Sequence, residues 1–118
     1  MTIQDVVDLL DAKVLCGEHL VDQTVLSACG ADLMSDVLAY VKEKSVLLTG
    51  LINPHVVRTA EMLDVLVIVF VRGKLPTQEI LDMAMERDIV VLTTPDTLYV
   101  ACGLLYQSGL PGSERMKG

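Results

Sequence analysis

From residue 25 onward, short unbroken aliphatic runs alternate with stretches whose apolar positions recur every three or four residues. The runs at 25–29, 46–48, 65–71 and 89–92 carry no polar alternation, the pattern of strands covered on both faces. Each run ends in a glycine, a threonine or a basic turn, and a helix cap follows within a few residues. After Gly30, Asp32 is the expected cap of a helix whose apolar face is Leu33, Met34, Val37, Leu38 and Val41. After Thr49 and Gly50, Asn53 caps and Pro54 takes the first helical position, with Val56, Val57, Ala60 and Leu63 facing inward. After Arg72, Gly73 and Lys74, Thr77 starts a helix carrying Ile80, Leu81, Ala84 and Met85. After Thr93, Thr94 is the expected cap, Pro95 follows, and Leu98, Ala101, Cys102 and Leu105 form the buried stripe.

The first part of the chain is patterned differently. Thr2 and Asp5 have the spacing of a capping box, and Ile3, Val6, Val7 and Leu10 repeat at helical spacing. Residues 13–17 and 23–29 read as two strands around the polar turn Glu18-His19, which a hairpin would join. Strands alternating with helices of about ten residues imply parallel pairing through right-handed crossovers. The expected fold is a single layered α/β domain, its mainly parallel sheet of about four to five strands flanked by helices. It should occupy residues 1–110, leaving 111–118 as a flexible C-terminal tail.

Composition narrows the partners. The chain has 118 residues, enough for one core, and is 52% hydrophobic with no tryptophan, one phenylalanine and three tyrosines, so that core is aliphatic. So high an aliphatic fraction in so short a chain should leave apolar surface over, which points to a homodimer. A net charge of −7 repels phosphate backbones, so nucleic acid is not expected. The longest apolar run, 65–71, is too short to cross a membrane, and the first residues lack the basic start and apolar stretch of a secretion signal. Three cysteines at unpatterned spacing suit reduced thiols in the cytoplasm.

In such a sheet the turns after the strands gather along one edge, where helix N-termini also converge. The candidate ligand-binding residues are therefore Gly30, Asp32, Thr49, Gly50, Asn53, Arg58, Arg72, Gly73, Lys74, Thr93 and Thr94. Small residues let backbone approach a ligand, hydroxyls and amides hydrogen-bond it, and Arg72 and Lys74 could neutralise a phosphate or carboxylate. The alternative is that these residues only serve turns and caps. Arg58 could equally bridge to Glu61 or Asp64 on the surface. Cys29 beside a helix N-terminus could have a lowered thiol pKa, or it could simply be packed, as could Cys102. Cys16 and His19 lack a second ligand pair, so no metal is expected, and no cofactor. No phosphate loop, dinucleotide fingerprint or nucleophile elbow occurs, which argues against an enzyme.

The stretches 31–38, 47–51 and 57–60, with 68–74 and 93–97, resemble the DRTGG domain family, and the likeness spans residues 3–108. The family's five-letter motif itself is absent, Val57-Arg58-Thr59-Ala60 being the nearest stretch. The resemblance implies an α/β fold like the N-terminal domain of HPr kinase/phosphorylase. It also implies a regulatory or assembly role, as in domains that accompany phosphotransacetylase-like proteins or sit beside CBS domains in certain pyrophosphatases. The expected function is thus a non-catalytic regulatory, ligand-sensing module, binding a small anionic metabolite or nucleotide as a homodimer. The alternative is an interaction subunit that docks onto a larger metabolic enzyme complex without a ligand of its own.

Overall fold

The computed structural model describes residues 1–112; residues 113–118 of the expected tail lie outside that range. Five strands form one sheet: β1 (Lys13–Cys16), β2 (Ser27–Gly30), β3 (Ser45–Thr49), β4 (Val65–Phe70) and β5 (Val90–Thr93). Their order is β1-β5-β4-β3-β2, with β2 to β5 parallel and β1 antiparallel to β5. The expectation of a mainly parallel, layered sheet is met.

The helices are α1 (Ile3–Leu9), α2 (Met34–Tyr40), α3 (Pro54–Met62), α4 (Gln78–Glu86) and α5 (Leu98–Gln107). Because β2 to β5 follow one another across the sheet in chain order, right-handed crossovers place α2, α3 and α4 on one face. Helices α1 and α5 cover the other. Central β4 divides its side chains between the two cores. Val67 and Val69 join Val6 of α1 and Leu105 of α5, whereas Ile68 and Phe70 join Val57 of α3 and Ile80 of α4. Both faces are apolar because both are covered, which is why the strands show no polar alternation.

Most helix ends follow a common rule. Asp11, Lys44, Asp64 and Asp88 have φ of 47°, 51°, 57° and 54°, and each lies just ahead of a strand. At Asp11, Asp64 and Asp88 the left-handed residue directly follows a helix C-cap and turns the chain into the sheet, whereas α2 ends on extended Val41, three residues ahead of Lys44. The capping box of Thr2 and Asp5, the Asn53 cap with Pro54 behind it, and the Thr77 cap all form as expected.

Three local expectations are corrected. β1 and β2 lie at opposite edges of the sheet and form no hairpin. Residues 21–25 instead pair with the chain start, Ile3 N–H donating to Gln23 O and Val25 N–H to Met1 O, with a bridge between Thr2 and Thr24. Among the described side chains of α2 only Val37 is fully buried, while Leu33 and Leu38 are 60% and 49% exposed, because edge strand β2 has no neighbour beyond it to cover them. The caps of α2 and α5 are also displaced: Leu33, with no side-chain bond, begins α2, and Thr97, accepting from Val100 N–H, begins α5. Asp32 and Thr94 make other bonds instead.

Candidate functional site

All four parallel strands end on one rim, and a chain of hydrogen bonds ties the turns that follow them. The Asp32 carboxylate, freed from capping α2, accepts from Gly50 N–H at 2.7 Å and from the Thr49 hydroxyl at 3.2 Å. The Lys74 ammonium donates to Gly50 O at 2.7 Å. The Thr93 hydroxyl donates to Lys74 O at 2.8 Å. Gly73 N–H and Arg72 N–H donate to Thr94 O and Asp96 O. The premise that the turns share one edge therefore holds.

Gly50 is the focus of this rim. A methyl group at its α-carbon would lie 3.4 Å from an Arg72 guanidinium nitrogen, 3.5 Å from an Asp32 oxygen and 3.6 Å from the Lys74 nitrogen. Two cations and one carboxylate thus meet at one point beside a buried glycine. Arg72 (φ 58°) is the left-handed non-glycine residue found at a strand exit, and Gly73 (φ 66°) follows it in the same conformation. These two residues turn the chain sharply off β4. Their amides are spent on the β5 turn, so an anion here would be held by the side chains of Arg72 and Lys74, as a point charge and a planar fork hold phosphate or carboxylate.

The remaining candidate residues have other immediate partners. A side chain at Gly30 would collide with Cys102 Sγ, so this glycine lets α5 pack against β2. The Thr94 hydroxyl is buried and donates to Leu10 O at 2.7 Å, tying the rim to the end of α1. Asn53 accepts from His55 N–H at 2.8 Å as the cap of α3. Arg58 is exposed on α3, and Glu61, once its candidate partner, pairs with Arg87 at 2.6 Å.

Of the two readings of Cys29, the packed one agrees with its surroundings, and no lowered thiol pKa is found. Burial pushes Cys29 up, with the Asp36 carboxylate adding to the shift, and burial likewise raises Cys16 and Cys102. The thiols are packing groups. No cluster of His, Cys, Asp and Glu suited to a metal is present among the described residues, and no helix there is long and apolar enough to cross a membrane.

A concave feature went unread in the sequence. Between α5 and the outer edge of β2 lies a groove of about 530 Å³, lined by Gly30, Leu48, Tyr99, Gly103, Leu104 and Tyr106 among others. Its signal was present: two tyrosines seven residues apart on a helix with a glycine between them, off the buried stripe.

Comparison with known proteins agrees with this architecture. The fold is similar to the CBS and DRTGG domains of the regulatory region of Clostridium perfringens pyrophosphatase, a structure complexed with the activator diadenosine tetraphosphate. The TM-score is 0.73 at 23% identity, over 93% of this chain and 47% of that one. The present chain thus spans about half the length of that neighbour, and the likeness is one of fold. No curated protein matches the chain. Residues 5–108 match the family model of the DRTGG domain, which covers the whole sheet and every helix but the first two residues of α1, and the chain belongs to the DRTGG domain family.

Proposed function

We propose that this chain is a non-catalytic regulatory module that senses a small anionic metabolite or nucleotide at the sheet rim and works as a cytoplasmic homodimer. One observation carries the reading: the Arg72 guanidinium and the Lys74 ammonium close on the same point above buried Gly50. In a protein of net charge −7, two cations held together where four strand ends meet form a local exception to the surrounding field. The regulatory region that shares the fold binds a nucleotide activator, which favours a nucleotide here. Asp32, Thr49, Gly50, Gly73 and Thr93 build the platform, while Gly30, Asn53, Arg58 and Thr94 support it from the surrounding packing, caps and helix surface.

Calorimetry of the full chain against a panel of nucleotides and phosphorylated or carboxylated metabolites tests this. A charge-assisted hydrogen bond contributes about 1.5–3 kcal/mol, so Lys74→Ala should weaken the bound ligand roughly 10- to 100-fold. No heat from any member of the panel would remove the reading. Homodimerisation draws support from large apolar side chains left in solvent, among them Leu33, Met62 and Tyr106 at 60%, 73% and 73% exposure. Light scattering showing a monomer at micromolar concentration would contradict it. The same exposed side chains favour a second reading, docking onto a larger enzyme. A stoichiometric partner recovered from the native cell, with no ligand bound, would favour docking over sensing.

A further inference from the structure

The groove beside α5 has features that the rim does not account for. Its walls are mostly apolar, and its volume of about 530 Å³ falls in the range of small-molecule sites. Tyr99 and Tyr106 stand at its border, 88% and 73% exposed, although neither is needed by the core. They lie on one face of α5, about 10 Å apart along the axis at 1.5 Å per residue. Gly103 lies between them, and a side chain added there would meet nothing within 4 Å. The result is a notch between two aromatic rings.

The third wall is the outer edge of β2, which no strand among the described residues pairs. Ala28 N–H points away from β3 and donates to Pro111 O. Peptide groups two residues apart on a strand point the same way, so Gly30, at the end of β2, also presents its N–H and C=O outward, where it lines the groove. A donor and an acceptor beside an apolar notch match the hydrogen-bonding edge of a flat heteroaromatic ring. Aromatic side chains supply the stacking surface that such rings use. Gly30 ends β2 on the same rim as the cations: Asp32, two residues on, accepts from Gly50 N–H, and Arg72 and Lys74 lie beside Gly50.

We propose that the groove between α5 and the edge of β2 binds the base of a nucleotide whose phosphates reach Arg72 and Lys74. The phosphate half rests on the rim reading given above; the base half stands on the groove.

Calorimetry of the full chain with adenosine triphosphate, guanosine triphosphate and inorganic triphosphate separates the two. Gly103→Leu fills the notch from an open helical position, and Tyr99→Ala removes an exposed ring, so neither threatens folding. Circular dichroism verifies that each variant is folded. A nucleoside triphosphate should bind at least about tenfold more tightly than inorganic triphosphate. Gly103→Leu and Tyr99→Ala should abolish that advantage while leaving inorganic triphosphate binding as it was, whereas Lys74→Ala should weaken both. Equal affinity for nucleotides and inorganic triphosphate, indifferent to Gly103→Leu, would overturn the groove proposal and leave the rim standing. No binding by any of the three probes would overturn the groove proposal and count against the rim as well. A wild-type dimer that Gly103→Leu converts to a monomer would assign the groove to a second copy of the chain and overturn it too.

Discussion

Gly30 and Gly50 look alike in the sequence, each closing an aliphatic strand, yet their surroundings give them different tasks. A methyl at Gly30 would press on Cys102 Sγ, whereas one at Gly50 would reach only ordinary contact with Arg72, Asp32 and Lys74. Gly30→Ala should therefore destabilise the fold by about 1–3 kcal/mol, the usual cost of overpacking, and Cys102→Ala in the same chain should recover most of it in urea denaturation. Gly50→Ala should leave stability nearly unchanged and weaken anion binding, because the methyl occupies the space between the two cations. The thiols give a pH dependence with a definite sign. Burial raises the pKa of Cys16, Cys29 and Cys102 in the fold, so unfolding favours their ionisation. Their contribution is fully present below the unfolded thiol pKa of about 8.5 and is lost as pH rises through the higher folded values. Denaturation midpoints should hold between pH 7 and 8 and fall at higher pH, and Cys29→Ala with Cys102→Ala should shrink that fall. Asp32 shows the limit of reading single residues. Its position before a helix suggests a cap, but the contact with Gly50 exists only because β2 and β3 are neighbours.

At the scale of elements, the strands and most helices were legible because each repeats one physical rule. Unbroken aliphatic runs became strands with helices on both faces, and Asn53-Pro54 and Thr77 started helices as their chemistry dictates. Asn53→Ala should lower stability by about 1 kcal/mol, the cost of an unsatisfied helix N-terminus. Ile68, fully buried on the central strand, should cost about 2–5 kcal/mol when cut to alanine. What could not be read was edge against centre. Apolar periodicity made α2 look like a packed helix, but Leu33 and Leu38 remain exposed because β2 ends the sheet. The hairpin expectation failed for a related reason. Residues 13–17 and 23–29 are close in sequence, and only the long-range pairing of β1 with β5 sends them to opposite edges.

For the whole molecule, the decisive fact is that β2, β3, β4 and β5 run parallel in sequence order, delivering every following turn to one rim. That ordering lets residues as distant in the chain as Asp32 and Thr93 belong to one hydrogen-bonded line through Gly50 and Lys74. The gathering of the rim was foreseeable from topology. The narrower focus on Gly50 was not, since it depends on how Arg72 and Lys74 fold back across β3. Titration of a ¹⁵N-labelled sample with a nucleoside triphosphate reads out, residue by residue, whether the rim holds the anion. Saturable amide shifts should concentrate at Gly50, Arg72, Gly73 and Lys74 and disappear in the Arg72→Ala, Lys74→Ala double variant. Shifts that leave these amides unmoved, or persist unchanged in that variant, would contradict anion binding at the rim.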